Sequence, residues 1–198
     1  MTAYADRFWT SRDGLKLHYR EYVGREDRPP VICLPGLTRN ARDFETLAER
    51  LAGEWRVLCP ENRGRGDSAY AKDSATYNPL QYVQDLGALF EEAGIERFVA
   101  IGTSLGGLLT MIMAMTTPEK LAGAVLNDIG PEINPEGLER IRGYVGQGPI
   151  SPRGCTPRAR WRNRKDRPSP ISRPRTGWRW PSAAWWWAAT GGSCSITT

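Results

Sequence analysis

Residues 98–107 read FVAIGTSLGG, and this stretch decides the fold. An apolar run that is typical of a buried strand stops abruptly at GTSLG (102–106), which has the pattern G-x-S-x-G. Residues 106–117 then continue as a segment that is apolar on every side, as in a helix buried on several faces. Because glycine has no Cβ, the backbone can reverse sharply at this point. The sequence therefore predicts a strand, a strained turn and a helix, with the hydroxyl of Ser104 held at the carboxyl end of a sheet.

Strand-like and helix-like segments alternate along the rest of the chain. Residues 7–23 predict a hairpin of two short strands around Asp13-Gly14, which is a strong turn signal. Further strands are predicted at 29–36, 97–104 and 121–128, and residues 55–68 predict a strand that runs into a Gly-rich loop. Helices are predicted around 44–51, 78–95 and 106–117. Continuous apolar strands between amphipathic helices indicate an α/β fold, a mostly parallel sheet with helices on both faces.

Two side-chain patterns predict which residues face the core. In the second helix, the spacing of Leu80, Val83, Leu86 and Phe90 predicts a single inward face. Of the four cysteines, Cys33 and Cys59 lie in apolar strand-like runs, and no pair is spaced as C-x-x-C. We expect these thiols to be reduced and buried rather than to form a disulfide framework or a metal site.

Five segments together carry a resemblance to a known family: DGLKLHYREY (13–22), CLPGLTRNARDF (33–44), ENRGRGDS (61–68), GTSLGG (102–107) and VLNDIGP (125–131). With these segments, residues from about 7 to 148 resemble the α/β-hydrolase superfamily. The resemblance implies that Ser104 is a nucleophile and that the backbone N–H groups of Leu37 and Leu105 form an oxyanion hole. Many relatives have His before the glycine of this loop, where the chain has Pro35, but a backbone donor survives that change.

The resemblance also implies the class of chemistry. Branches that act on haloalkanes or epoxides use Asp at the turn, whereas Ser104 implies attack on a small-molecule ester, thioester, lactone or related acyl compound. Asp128, at the end of a predicted strand, is a candidate for the acid that orients a base, because some branches place the acid there. The other interpretation of Asp128 is a strand-end residue that shapes a turn. No cofactor and no metal are expected.

The general base is the missing part of this pattern. The resemblance places a histidine near the C-terminus, after the serine and the acid. The only histidine is His18, which precedes Ser104 and lies in the predicted hairpin, where it is expected to be structural. Without a base the serine hydroxyl stays protonated, so we expect the activity of this chain to be impaired or absent.

The C-terminal residues 149–198 differ in composition from the preceding 148. Residues 151–198 contain nine Arg, six Pro and six Trp but no Leu, Val, Phe, Glu or His, and no helical or strand period. Such a composition is typical of GC-rich coding DNA read out of frame, so we hypothesise a frameshift near 148–150. A partial core (1–148) of about six strands out of eight, without a cap, would then precede a disordered tail. The alternative is a non-catalytic remnant or binding protein whose basic tail contacts nucleic acid or a membrane surface.

Charge and hydropathy restrict the remaining possibilities. The first 150 residues carry 17 basic and 21 acidic side chains, a net charge of −4, whereas residues 151–198 carry +9. The basic character therefore belongs to the tail, and no specific nucleic-acid partner is expected for the core. No apolar run is long enough to span a membrane, and the N-terminus does not resemble a secretory signal, so a cytoplasmic location is expected. Nothing in the sequence indicates the oligomeric state.

Overall fold

A computed structural model of the chain describes residues 4–130 together with Glu132, Glu136 and Glu139. The predicted boundary near residue 148, the frameshift hypothesis and the basic tail all fall outside these residues. The hairpin and the strand–turn–helix unit both lie in the described part of the chain.

Six strands form one sheet, and three α-helices pack against it within this part of the chain. The strands are β1 (Ala5–Thr10), β2 (Lys16–Tyr22), β3 (Val31–Leu34), β4 (Val57–Pro60), β5 (Phe98–Thr103) and β6 (Leu121–Asn127). The helices are α1 (Glu45–Leu51), α2 (Pro79–Glu92) and α3 (Leu105–Thr116); short 3₁₀ turns occupy Ala41–Phe44, Ser74–Thr76 and Pro118–Lys120.

The sheet confirms the predicted α/β architecture. The strand order is β1-β2-β4-β3-β5-β6. β1 and β2 form the antiparallel hairpin predicted at Asp13-Gly14, and β2 also runs antiparallel to β4. The pairs β4–β3, β3–β5 and β5–β6 are parallel. The carboxyl ends of β3, β4, β5 and β6 therefore meet at one edge of the sheet, where loops that follow them come together.

Helices cover both faces of the sheet. The side chains of the buried strands therefore point alternately into two cores, one on each face. In β3, Ile32 and Leu34 contribute to the core that also contains the buried side chains of α2 and α3. Val31 and Cys33 face the other core, which contains Phe44 and Ala48 from the segment of α1. Cys33 and Cys59 are buried free thiols, as predicted.

The predicted inward face of the second helix is wrong at one position. Leu80 is 65% exposed, whereas Tyr82, Leu86 and Leu89 are buried. Leu80 and Leu89 are nine residues apart, about two and a half helical turns, so they lie on opposite sides of α2. The apolar stripe that packs on the sheet begins at Tyr82, a residue that the predicted spacing omitted.

Candidate functional site

The backbone at Ser104 is the most unusual feature of the carboxyl edge of the sheet. Ser104 has φ 51° and ψ −112°, and it is the N-cap residue of α3. Non-glycine residues rarely occupy the positive-φ region, and a serine held there indicates strain that surrounding structure must maintain. Part of that support is a hydrogen bond from the Ser104 N–H to the carbonyl of Asn127, the last residue of β6, at 2.9 Å.

Close packing explains the glycines around Ser104. A Cβ at Gly102 would lie 2.4 Å from the carbonyl oxygen of Gly106. A Cβ at Gly106 would lie 2.0 Å from the carbonyl oxygen of Leu34, at the end of β3. Both distances are impossible for real atoms, so only glycine lets α3 begin this close to β3 and β5. The G-x-S-x-G pattern is thus a steric requirement of the turn.

The loop after β3, residues 34–40, approaches Ser104. A Cβ at Gly36 would lie 3.8 Å from the Cβ of Ser104. The N–H of Arg39 donates to the carbonyl of Gly36 at 3.1 Å, which closes a turn with Leu37 and Thr38 at its centre. Proximity of this loop to the serine is what the sequence predicted for residues 34–40.

Two backbone N–H groups in the segments next to Ser104 have no hydrogen-bond acceptor among the described residues. Leu105 is the first residue of α3, so its N–H has no intrahelical acceptor. The N–H groups of Leu37 and Leu105 donate to no other residue between 4 and 130. Both predicted donors therefore lie in segments that flank the serine, and the positive end of the α3 dipole adds to the potential there.

Loop 34–40 is tied to loop 61–68, which follows β4. Arg65 Nε donates to the carbonyl oxygen of Leu37 at 2.8 Å. The N–H of Ala41 donates to Glu61 Oε1 at 3.1 Å. Sequence reasoning recognised both loops but assigned no role to these charged side chains.

Glu61 also binds His18, the only histidine in the chain. His18 is 1% exposed; its Nδ1 lies 2.9 Å from Glu61 Oε2, and its Nε2 lies 2.9 Å from Asp6 Oδ1. Burial alone would lower the pKa of His18, but the hydrogen bonds and charges of Glu61 and Asp6 outweigh it and raise the pKa. Both ring nitrogens are thus engaged, one by Asp6 in the hairpin and one by Glu61 in loop 61–68, as expected for a structural histidine.

The carboxylate of Glu61 is held in its charged form. Burial would raise its pKa, but hydrogen bonds from His18 and from the N–H groups of Asp67 and Ala41 outweigh burial and lower it. The ligand atoms of His18, Glu61 and Asp67 lie within 4.8 Å of one another, a grouping that sequence spacing did not indicate. Because Glu61 and His18 already satisfy each other and their neighbours, a cation would have to displace these hydrogen bonds to bind.

Arg63, in the same loop, is the largest fully buried side chain among the described residues. Its Nε and Nη2 donate to the two carboxylate oxygens of Asp85 in α2, at 2.8 and 2.6 Å. Nη1 and Nη2 also donate to Asp13 in the hairpin turn, at 2.9 and 3.1 Å. These bonds connect the hairpin, loop 61–68 and α2, and sequence reasoning missed them because a charged residue is normally expected at the surface.

Asp128 lies at the same edge of the sheet as Ser104. Thr103 and Asn127 are the last paired residues of β5 and β6. Ser104 follows Thr103 and Asp128 follows Asn127, so both residues lie just beyond the same end of the sheet. Asp128 is exposed and has φ 56°. The positive φ of Asp128 suits its alternative role in shaping the turn, because Asp tolerates the left-handed region better than most residues.

A cavity of about 490 Å³ lies away from this edge. It is lined by residues 26–30, Arg56 and residues 94–97, which precede β3, β4 and β5 and so lie at the amino end of the strands. Its lining carries acidic and basic side chains in equal measure and does not include Ser104. The chemistry at the carboxyl edge therefore does not use this cavity.

Within the described residues, no helix has both the length and the apolar character needed to cross a bilayer.

Comparison with known proteins assigns this arrangement to a family. A family described as alpha/beta hydrolase fold matches residues 29–154. A 3-hydroxybutyrate-oligomer hydrolase of Cupriavidus necator is 37% identical over 131 residues, which are 66% of this chain and 45% of that protein. An sn-1-specific diacylglycerol lipase, ABHD11, of Mus musculus is 32% identical over 119 residues, covering 59% of this chain and 38% of the lipase.

Solved structures lead to the same family. The crystal structure of an alpha/beta hydrolase from Novosphingobium aromaticivorans superposes with a TM-score of 0.73 and 73% sequence identity, covering 74% of this chain and 52% of that one. The chain thus spans about half the length, or less, of the relatives that it matches.

Proposed function

This chain belongs to the alpha/beta hydrolase fold family, and from that premise we propose that Ser104 is a nucleophile for acyl transfer from a small-molecule ester. The observation that carries the proposal is the positive φ of Ser104 at the start of α3, between two glycines that admit no Cβ. Strain of this kind is kept at functional sites, where it holds a reactive group in place. A purely structural turn would be less strained with another glycine at position 104.

The chemistry proceeds in two steps. The Ser104 hydroxyl oxygen attacks the substrate carbonyl carbon as its proton passes to a base, and the carbonyl oxygen becomes an oxyanion. The N–H groups of Leu37 and Leu105 stabilise that oxyanion, because they are fixed donors that gain most when the charge develops. The C–O bond to the leaving alcohol then breaks, the alcohol takes up the proton, and water hydrolyses the acyl-Ser104 ester by the same route.

We expect the proposed activity to be slow, because no suitable base is found among the described residues. His18 is buried, and its two ring nitrogens contact Glu61 and Asp6. No other histidine occurs in the sequence, and no side chain among residues 4–130 forms a hydrogen bond with the Ser104 hydroxyl. In comparable enzymes the loss of such a base costs about 10⁴–10⁶-fold in turnover. Asp128 remains the proposed acid of a complete site, in a position to orient a base near Ser104.

The names of two relatives support the ester class. One is a hydrolase of 3-hydroxybutyrate oligomers and the other is a lipase that acts on diacylglycerol. Both substrates are carboxylic esters, and serine rather than aspartate at the turn suits attack on such a carbonyl. We therefore propose a carboxylic ester as substrate, and no cofactor is needed for the reaction written above.

The test is covalent labelling of the purified full chain. A fluorophosphonate reacts with a serine that is both nucleophilic and adjacent to an oxyanion hole, and mass spectrometry identifies the modified residue. We expect slow labelling at Ser104 and none in Ser104→Ala, with the exposed Ser74 left unmodified in both proteins. Equal labelling of Ser104 and Ser74, or none at Ser104 in a folded chain, would overturn the proposal. Hydrolysis of p-nitrophenyl acetate at ordinary esterase rates, abolished by Ser104→Ala, would instead show that a base is present.

A further inference from the structure

We propose that Arg65 is a positioning residue that fixes loop 34–40 through the carbonyl of Leu37. The inference rests on the proposed function, because the loop matters only if the Leu37 N–H stabilises an oxyanion at Ser104. Arg65 itself contacts no reacting atom in this scheme. Its role is to hold a backbone segment in one arrangement.

The contacts of Arg65 show that it joins two loops rather than neutralising an acid. Its Nε donates to the carbonyl oxygen of Leu37 at 2.8 Å, and its Nη1 donates to the carbonyl oxygen of Gly64 at 3.0 Å. No carboxylate forms an ion pair with it in the part of the chain described here. A half-buried guanidinium whose hydrogen bonds all go to backbone carbonyls is a fixed donor, because its planar group is rigid.

The acceptor of that donor is the central peptide of a tight turn. The turn is closed by the hydrogen bond from the Arg39 N–H to the Gly36 carbonyl at 3.1 Å, so the Leu37 carbonyl belongs to the peptide between Leu37 and Thr38. Arg65 fixes this carbonyl, and the alternative to the bound geometry is an opened turn in which the hydrogen bond from the Arg39 N–H is lost. A type II turn is not that alternative, because it needs positive φ at Thr38, which a β-branched residue strongly disfavours. By holding the Leu37 carbonyl, Arg65 keeps the turn closed beside Ser104.

Arg65 can act in this way because its own backbone is fixed. The Arg65 N–H donates to the carbonyl of Asn62, and the Ser68 N–H donates to the carbonyl of Arg65, both at 3.0 Å. Gly66 follows with φ 53°, and a Cβ there would lie 1.9 Å from a carboxylate oxygen of Glu61. Loop 61–68 is therefore held by close packing on Glu61, and the Arg65 side chain transmits that fixed position to loop 34–40.

The expected consequence is kinetic. Oxyanion donors are effective because they are already in place, and removing one such donor costs about 10²–10³-fold in rate. Loss of Arg65 leaves the Leu37 N–H present but lets its turn open. We therefore expect a smaller reduction, on the order of 10-fold, because misplacement rather than removal is involved.

The experiment compares three variants of the full chain. Arg65→Ala removes the contact, and Arg65→Lys keeps the charge and one donor group. Arg42→Ala is the matched control, because this exposed arginine removes the same charge nearby while its side chain contacts no described residue through a hydrogen bond or ion pair. The measurements are the rate of fluorophosphonate labelling of Ser104, the thermal midpoint, and amide hydrogen exchange at Arg39, whose N–H closes the turn.

The proposal predicts slower labelling by about 10-fold and faster exchange at Arg39 in Arg65→Ala, partial recovery in Arg65→Lys, and wild-type behaviour in Arg42→Ala. A purely structural role would lower the thermal midpoint without recovery of labelling in Arg65→Lys, and that result would overturn the proposal. Unchanged exchange at Arg39 in a folded Arg65→Ala protein would overturn it as well. If wild-type Ser104 is not labelled, the proposed function fails, while exchange at Arg39 still decides whether Arg65 fixes the turn.

Discussion

Removing the carboxylate of Asp85 should destabilise the protein far more than removing an exposed carboxylate. Arg63 is fully buried, and Asp85 accepts two of its hydrogen bonds, at 2.8 and 2.6 Å. Breaking a buried ion pair by deleting one partner costs about 3–5 kcal/mol, because the remaining charge is left without compensation. Asp13 stays in contact with Arg63, so we expect Asp85→Ala to cost about 3 kcal/mol, the lower end of that range.

Urea denaturation followed by tryptophan fluorescence measures this cost, with equal slopes required for comparison. The control is Glu91→Ala, which breaks the exposed ion pair between Glu91 and Arg12. The two side chains of this pair are 62% and 66% exposed, respectively. We expect the control to lose less than about 1 kcal/mol. Losses below about 1 kcal/mol in both variants would refute the argument that burial makes this pair important.

A double substitution separates charge burial from packing. Arg63→Met combined with Asp85→Leu removes both charges and keeps apolar volume, and such replacements are often neutral or stabilising. We expect the double variant to be more stable than either single variant, because each single variant leaves one uncompensated charge in the buried site. If the double variant loses at least the sum of the two single losses, shape rather than charge is the reason for the effect, and our account is wrong.

Two further predictions concern the glycine packing and the histidine. Gly106→Ala should destabilise the protein by about 1–3 kcal/mol or more and abolish Ser104 labelling, because the new Cβ meets a backbone carbonyl. Gly87→Ala, which has open space around its Cβ position, should stabilise the protein by about 0.5–1 kcal/mol. Equal effects of the two substitutions in urea denaturation would contradict this expectation. The raised pKa of His18 contributes stability that is fully present below the ordinary pKa of 6.5 and is lost as pH rises through the folded pKa. The lowered pKa of Glu61 contributes stability that is present above the ordinary pKa of 4.5 and is lost as pH falls below it. Stability in urea should therefore be greatest between these values, and a His18→Gln variant with an unchanged pH profile would disprove the assignment.

The sequence predicted much of the fold because the relevant signals are local. The hairpin follows from Asp13-Gly14 between two strand-like runs, and the strand–turn–helix unit follows from apolar periodicity around GTSLG. Each signal lies within about ten residues, the range over which backbone preference and side-chain period act. The prediction that failed, an inward Leu80, concerned which side of a helix meets the sheet. The periodicity of apolar residues along a helix does not by itself fix that direction.

For the candidate site, the sequence by itself determined that a serine stands between glycines at the junction of β5 and α3, and that loop 34–40 follows a neighbouring strand. Only the tertiary structure decided how charged residues support it. His18 and Glu61 are 43 positions apart, and Arg63 and Asp13 are 50 apart. A charged side chain is stable inside a protein only when a partner from another segment meets it there. That meeting depends on how strands and loops are arranged in three dimensions, and no local pattern encodes it.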